Sequence, residues 1–293
     1  MSTYQFKQVD VFTARPLLGN PVAVVLNADG IDPAQMQQIA SWTNLSETTF
    51  VLKPSSEADY RLRIFTPDRE LLFAGHPTVG SAHAALEAGV IGGPSFRQEC
   101  GAGVLPLTVE GEGAERRIFV RAPEAKFVRD CGDLADDVSA SLGAQIVPEP
   151  SPAAMDNGPV WLFVRLESGS AVAGLEPDMS AINKLSQEHR LTGIAAFALL
   201  KGDGPRVHIR CFGPAAGIPE DPVTGSANAA LPAYLARAGL LATLFDGVGR
   251  EYVSTQGTEL GRDGRVYVRA LDGQGRAEIG GHAVTVIEGE IRL

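Results

Sequence analysis

The feature that most constrains the fold of this chain is a motif that it contains twice. The stretch FAGHPTVGSAHAAL begins at Phe73, and the stretch EDPVTGSANAAL begins at Glu220. Their shared Gly-Ser-Ala aligns at an offset of 145 residues, from Gly80 to Gly225. Because an internal repeat indicates a duplicated structural unit, we predict two related halves.

The segments around the two motifs follow the same order in both halves. Apolar strands are predicted for NPVAVVL and GPVWLFV, for RLRIFTP and HIRCFGP, and for RIFVRAP and RVYVRAL. The stretches DPAQMQQIASW and EPDMSAINKLSQ predict amphipathic helices that begin with proline. Each half should therefore wrap strands around one central helix.

The repeated motif itself predicts that central helix, because its residues are small and apolar on every side. We expect the two helices to begin just after His76-Pro77 and Asp221-Pro222. The start of a buried helix offers unpaired backbone N–H groups and the positive end of the helix dipole, which suit a carboxylate. Two related halves would present two such helix starts to one small anionic ligand in a cleft between them.

Composition excludes several classes of partner. The chain has a formal net charge of -10, with 44% hydrophobic and 20% charged residues and no basic run, so nucleic acid is not an expected partner. No apolar run or signal-like start predicts a membrane span or secretion, and we expect a cytoplasmic protein. Three widely spaced cysteines predict buried thiols, with neither disulfides nor a metal site.

Four motifs in order carry a resemblance to a known family: GNPVAVV, NLSETTF, FAGHPTVGSA and EDPVTGSA. Together, from Val9 to the C-terminal GGHAVTVIEGEI, they resemble the PhzF-like phenazine biosynthesis proteins. The resemblance implies an α+β, diaminopimelate epimerase-like fold of two pseudo-symmetric domains, each a bent, mostly antiparallel sheet or barrel around a central helix. It also implies a homodimer, and catalysis without cofactor or metal.

We place the first domain at residues 1–128 and the second at residues 129–279, since the stretch at 125–150 turns acidic and then proline-rich. The family resemblance implies that the last strand, at about residues 280–293, crosses back to the first domain.

The family's isomerase moves a proton between carbons of dihydro-hydroxyanthranilate, and the resemblance assigns roles here. Glu47, in LSETTF, matches the general acid/base, whereas His76 and Asp221 match residues that orient the substrate. The remaining matches are to substrate-binding positions, which here are Ser46, Gly75, Gly225 and Ser226.

Glu47 also stands out from the repeat. Aligning Phe50 with Phe197, an offset of 147 residues, places Ile194 opposite Glu47, so the second half has no carboxylate there. Partial burial should raise the pKa of Glu47, as a general base requires. A protonated or donor His76 can stabilise developing negative charge, whereas an ionised Asp221 can accept from an amine or hydroxyl of the substrate.

The residues leave structural interpretations open. His76 can be a loop histidine bonded to the backbone, Asp221 can cap its helix, and Ser226 can be small only for packing. Asn20 can line the cleft or form a turn. Gln256 and Gly257 can close over the ligand, although their surroundings favour a hairpin.

The predicted function is that of a cofactor-independent isomerase acting on a small, cyclic amino or hydroxy carboxylic acid. A first alternative is an amino-acid epimerase without thiols, using His76 with Glu47 or Asp221, because no cysteine occupies either helix start. A second alternative is a non-catalytic small-molecule binding protein that retains the cleft.

Overall fold

The structure is a computed structural model that describes residues 2–245 and 250–293. The chain forms two compact units. Unit 1 runs to Arg121 and includes Gly280–Leu293, whereas unit 2 comprises Ala122–Ile279. No helix in the described part of the chain is long and apolar enough to cross a membrane.

Both units are built mainly of short strands. In chain order the strands of the described residues are β1 Thr3–Val11, β2 Asn20–Val25, β3 Thr48–Leu52, β4 Tyr60–Phe65, β5 Glu70–Leu71, β6 Ser95–Cys100, β7 Gly103–Glu110, β8 Arg117–Arg121, β9 Lys126–Asp130, β10 Ala153–Asp156, β11 Val160–Arg165, β12 Gly193–Leu199, β13 Val207–Gly213, β14 Ile218–Asp221, β15 Glu251–Gln256, β16 Gly264–Ala270, β17 Ala277–Gly281 and β18 Ala283–Arg292. The α-helices are α1 Pro33–Thr43, α2 Gly75–Glu87, α3 Ala135–Leu142, α4 Gly169–Ala173, α5 Met179–His189 and α6 Gly225–Arg237.

In unit 1, β1 lies antiparallel to both β2 and β18. The strand β2 then pairs in parallel with β3, and β3 pairs antiparallel with β4. A second parallel pair joins β4 to β6, and the antiparallel strands β7 and β8 follow. The C-terminal strand β18 is therefore part of unit 1 through its pairing with β1.

Unit 2 repeats the same series of pairings. The strands β10 and β11 are antiparallel, β11 and β12 are parallel, and β12 and β13 are antiparallel. A parallel pair β13–β15 and an antiparallel pair β15–β16 complete the match. Because parallel and antiparallel pairs alternate in the same order in both units, the duplication read from the sequence is present in the sheet topology, and the predicted α+β class is confirmed.

The helix α2 is the centre of unit 1. Its residues from Gly75 to Ala85 are buried, and the helix packs against β1, β2, β8 and β18. A Cβ atom on Gly80 would lie 2.5 Å from Val22 and 2.7 Å from Val11, which explains the small residues of the motif. In unit 2, α6 is similarly buried.

The predicted starts of these helices are wrong by a few residues in opposite directions. The helix α2 already begins at Gly75, so His76 and Pro77 lie inside its first turn. Proline is tolerated there because the first backbone N–H groups of a helix have no partner within the helix. The helix α6 begins only at Gly225, three residues after Pro222.

The segment that contains Gln256 and Gly257 joins β15 to β16, which pair antiparallel with Gln256 opposite Gly264. The hairpin interpretation is therefore confirmed. Gly257 has a φ of 91°, and a Cβ there would lie 2.4 Å from the carbonyl oxygen of Pro222. Glycine is required at this position for two reasons: its backbone is left-handed, and the Pro222 backbone leaves no space for a side chain.

The three cysteines are free thiols. Cys131 and Cys211 are buried, as predicted, whereas Cys100 is half-buried. Burial raises the pKa of all three thiols.

Candidate active site

The chain reaches Glu47 through a tight turn at the end of α1. Asn44 adopts the left-handed conformation, with a φ of 53°, and its N–H bonds to the carbonyl of Ala40 at 3.2 Å. Asparagine tolerates this backbone and commonly ends a helix. The turn directs Ser46 and Glu47 towards the start of β3, where the Glu47 carbonyl accepts from the N–H of Ala23.

Glu47 and His76 form a close pair within unit 1. Oε2 of Glu47 lies 3.3 Å from Nε2 of His76, and their side chains are only 12% and 6% exposed. The two residues are far apart in the chain, and β3 and the first turn of α2 bring them together. A carboxylate beside an imidazole in a buried setting is an arrangement suited to holding and moving a proton.

Burial lowers the pKa of His76 from 6.5 to about 3, although a hydrogen bond with the backbone of Pro21 opposes this shift. The imidazole is therefore neutral near pH 7, and the expectation of a protonated His76 is not supported. A neutral His76 carries one N–H and one lone pair, so it can donate on one side of the ring only.

Both nitrogens of the ring have neighbours that define the two neutral forms. Asn20, which is fully buried at the start of β2, places Nδ2 at 3.4 Å from Nδ1 of His76. Proline has no N–H, so the backbone group of Pro21 that bonds His76 is its carbonyl, which accepts from the ring. The neighbours of the neutral ring thus include a donor, the Asn20 amide, and an acceptor, the Pro21 carbonyl.

The first turn of α2 adds backbone donors to this cluster. Ala74 occupies the N-cap and has no side chain that can cap the helix, and Gly75 is the first helical residue. Ser46 directly precedes Glu47, and its hydroxyl is buried and has no hydrogen-bond partner among the described residues. An uncapped helix start and an unsatisfied buried hydroxyl are both costly unless a ligand satisfies them.

The strand β3, which begins directly after Glu47, is hydrogen-bonded to α2 through buried hydroxyls. Thr49 bonds the carbonyl of Ala23 at 3.1 Å and the hydroxyl of Ser81, on α2, at 2.8 Å. Thr43 and Thr48 share a further hydrogen bond of 2.6 Å across the turn. These contacts restrict movement of β3 against α2, and therefore of Glu47 against His76.

In unit 2, Asp221 ends β14, four residues before α6 begins. Its Oδ2 accepts a hydrogen bond of 2.7 Å from the hydroxyl of Thr224, the N-cap residue of α6. The Thr224 N–H is bonded by the side chain of Gln256 at 2.9 Å. The Thr224 N–H at the start of α6 is therefore bonded by Gln256, whereas Asp221 bonds the Thr224 hydroxyl.

Ser226 lies in the first turn of α6 and is half-buried. Its hydroxyl accepts from the indole N–H of Trp161 at 2.9 Å, and its carbonyl accepts from the side-chain amide of Asn157 at 2.9 Å. Because Trp161 occupies an acceptor position on the hydroxyl, the hydroxyl proton remains available for donation. Ser226 is therefore more than a small packing residue.

The structure brings together the candidates within each unit. In unit 1 it brings Glu47 to His76, and Ser46 and Gly75 are their neighbours in the chain. In unit 2 it bonds Asp221 to Thr224, which directly precedes Gly225 and Ser226. Sequence reasoning left the roles of Asn20 and Gln256 open and missed Thr224, Trp161 and Asn157. The polar amide within GNPVAVV had indicated only that Asn20 could line the cleft. Within residues 2–245 and 250–293, no three His, Cys, Asp or Glu side chains group as a metal site would require.

Comparisons with known proteins show what this chain is similar to. A model of the family described as phenazine biosynthesis-like protein matches residues 9–289. The chain is 37% identical to antisense-enhancing sequence 1 of Schizosaccharomyces pombe, with 99% of both chains covered. It is 38% identical to trans-2,3-dihydro-3-hydroxyanthranilate isomerase of Pseudomonas chlororaphis, covering 97% of this chain and 98% of that protein.

The fold of this chain is also similar to that of solved structures. The phenazine biosynthesis protein of the PhzF family from Bacillus anthracis aligns over 100% of both chains, with a TM-score of 0.86 and 31% identity. The match also reaches a solved probable proline racemase of Agrobacterium radiobacter, covering 99% of this chain and 92% of that one at a TM-score of 0.65 and 15% identity. Identity this low shows the fold alone, and it confirms the epimerase-like fold predicted from the sequence.

Proposed function

This chain belongs to the family of phenazine biosynthesis-like proteins, and we propose that it is an isomerase that moves a proton between two carbon atoms of a small, cyclic amino or hydroxy carboxylic acid. Relatives that are named trans-2,3-dihydro-3-hydroxyanthranilate isomerase support this class of substrate. The observation on which the proposal depends most is the buried contact of 3.3 Å between Glu47 and His76.

In this proposal Glu47 is the general acid/base. Its carboxylate removes a proton from one carbon of the substrate and returns it to another. A single carboxylate can serve both steps because it is alternately the proton acceptor and, once protonated, the donor. The pair with His76 keeps the carboxyl group in one orientation through both steps.

The neutral state of His76 matches these two steps. When Glu47 carries the proton, Nε2 of His76 can accept from it while Nδ1–H donates to the carbonyl of Pro21. When Glu47 is ionised, its proton is on the substrate carbon and the ring keeps its Nδ1–H. The ring thus stays neutral in one tautomer through both steps, and the proton that the isomerase moves is the one on Glu47.

Substrate binding is assigned to the helix starts. Removing a proton from carbon builds negative charge, which donors already in place stabilise. In unit 1 these donors are the N–H of Gly75 and the hydroxyl of Ser46. In unit 2, we assign the substrate carboxylate to Gly225 and Ser226, and an amine or hydroxyl of the substrate to Asp221, which as an ionised group accepts hydrogen bonds.

The test compares the wild type with Glu47→Gln, which keeps the size of the side chain and removes its acid/base capacity. Purified proteins are incubated with trans-2,3-dihydro-3-hydroxyanthranilate in D2O, and NMR follows substrate loss, product identity and deuterium on carbon. We expect conversion by the wild type and a loss of about 1,000-fold in Glu47→Gln. The exposed Glu57 provides a matched control, Glu57→Gln, which should retain full activity.

Each other outcome has a defined meaning. Equal turnover by the wild type and Glu47→Gln would exclude Glu47 as the acid/base. Appearance of both enantiomers of a chiral substrate would favour the epimerase, since a single shuttling carboxylate should yield one product. Binding of the compound without turnover would favour the non-catalytic binding protein.

We also propose a cytoplasmic homodimer, on the resemblance to the family and the acidic composition. Sedimentation velocity at several protein concentrations tests the dimer, because a monomer at all concentrations would exclude it.

A further inference from the structure

Gln256, the last residue of β15, is 1% exposed and uses its whole side-chain amide within unit 2. Nε2 donates to the carbonyl of Asp221 at 2.8 Å and to the hydroxyl of Thr224 at 2.9 Å. Oε1 accepts from the N–H of Thr224 at 2.9 Å and from the amide of Asn228 at 3.3 Å. One side chain therefore joins the end of β14, the N-cap of α6 and the first turn of α6.

These bonds also control the direction of a second side chain. A hydroxyl has one proton, and the Thr224 hydroxyl accepts from Gln256 while it lies 2.7 Å from Oδ2 of Asp221. Its proton is therefore directed to the Asp221 carboxylate. Gln256 is hydrogen-bonded directly to the backbone of Asp221, and it is linked to the Asp221 carboxylate through the Thr224 hydroxyl.

The two units differ in the strand position from which a buried glutamine amide bonds the central helix. In unit 1 the residue opposite the first residue of β4 is Gln98, and in unit 2 the residue opposite the first residue of β13 is Ser254. Two residues later, Cys100 of unit 1 therefore corresponds to Gln256 of unit 2. At the position of Gln256, unit 1 has the thiol of Cys100, and its own buried amide, that of Gln98, donates to the hydroxyl of Thr78 on α2 at 3.2 Å.

We propose that Gln256 is a positioning residue of the isomerase, which orients the Asp221 carboxylate through Thr224. This inference rests on the function proposed for Asp221. A carboxylate held by Thr224 at one oxygen keeps its other lone pairs in a fixed direction for an amine or hydroxyl of the substrate. Loss of that orientation should cost turnover even where the fold is retained.

The experiment compares Gln256→Met, which keeps the length of the side chain without its polar atoms, with Thr224→Val, which removes only the hydroxyl. Using trans-2,3-dihydro-3-hydroxyanthranilate, we expect each variant to lower kcat/KM about 10-fold to 100-fold. Ser254→Ala is the matched control, because Ser254 is fully buried on the same strand and its hydroxyl has no partner among the described residues. The control should retain the wild-type kcat/KM.

A double-mutant cycle separates positioning from general damage to the fold. If Gln256 acts through Asp221, Gln256→Met should cause no further fall in kcat/KM once Asp221→Asn is present. A further 10-fold fall in the Asp221→Asn background would overturn the proposal, as would a Gln256→Met variant with the wild-type kcat/KM.

Crystal structures of the variants test the positioning role of Gln256 separately from the proposed function of Glu47. Should Glu47→Gln and the wild type have equal activity, the proposed function fails, and positioning is then judged from crystal structures of Thr224→Val and Gln256→Met. An Asp221 carboxylate that keeps its wild-type position in both variants would overturn the inference. A displaced carboxylate in both would support it.

Discussion

Nε2 of His76 lies 3.3 Å from Oε2 of Glu47, and the two side chains are almost fully buried within unit 1. The imidazole comes from the first turn of α2 and the carboxylate from the residue before β3. Burial lowers the pKa of His76 to about 3, so the imidazole of this pair is neutral near pH 7. The contact therefore has consequences both for turnover and for the dependence of stability on pH.

The first prediction concerns acid stability. The pKa of His76 is lowered from 6.5 to about 3 in the folded protein, so the unfolded chain binds this proton first as the pH falls. Its contribution to stability is complete above pH 6.5 and is lost between pH 6.5 and about 3. We expect His76→Asn to flatten the fall in the free energy of unfolding, by at most about 1.4 kcal/mol for each pH unit. Urea unfolding at pH 7, 6, 5 and 4 measures it.

Burial also lowers the pKa of His83, which lies 3.1 Å from Glu87 and is unchanged in this variant. Some acid sensitivity should therefore remain in His76→Asn. Identical pH dependence of the wild type and His76→Asn would contradict the prediction.

The second prediction concerns the hydroxyl of Ser226. Ser226→Ala removes a donor from the first turn of α6, and we expect it to raise KM about 10-fold, as for a hydrogen bond to a carboxylate. Trp161→Phe removes the N–H that orients this hydroxyl, together with part of the buried ring, and should raise KM about 3-fold. Steady-state kinetics test both. A KM for Ser226→Ala equal to that of the wild type would show that the hydroxyl does not bind the substrate.

The third prediction concerns the packing of α2. Gly80→Ala would place a Cβ 2.5 Å from Val22 and 2.7 Å from Val11, both on strands that surround the helix. We expect a loss of about 1–3 kcal/mol in the free energy of unfolding, because a packed core has no space for the methyl group. Gly92→Ala is the control, since no atom lies within 4 Å of its added Cβ. Equal urea midpoints for the two variants would refute the packing argument.

The fourth prediction concerns Arg210, which is 6% exposed. Its guanidinium donates to both carboxylate oxygens of Glu220, at 2.8 Å and 2.9 Å, and to the carbonyl of Leu175 at 3.0 Å. Arg210→Met leaves Glu220 buried without its counter-ion, so we expect a loss of about 3 kcal/mol. The double variant with Glu220→Met should recover part of it in thermal and urea unfolding. No recovery would show that the carbonyl contacts, rather than the ion pair, carry the stability.

Much of the fold followed from the order of local patterns. The repeated motif predicted two buried helices of small residues, and both α2 and α6 are buried. The strands before and after them pair in the same series in each unit. The exact helix starts did not follow, because they depend on contacts outside the helix, such as the bond from Gln256 to the N–H of Thr224.

The candidate site followed only in part. Glu47 stood out because the repeat places Ile194 in its position, and the family motif contributed His76 and Asp221. Their partners Asn20 and Gln256 lie 56 and 35 residues away along the chain, and no local pattern specifies such pairs.

By itself, the sequence determined the duplication, the α+β class and the carboxylate present in one half only, since these depend on residue order and on local preference for helix or strand. The tertiary structure alone decided the neutral state of His76, the contact with Glu47 and the amide that holds Asp221. The physical reason is that a pKa and a hydrogen bond depend on burial and on atoms a few ångströms away, and folding brings those atoms together from distant parts of the chain.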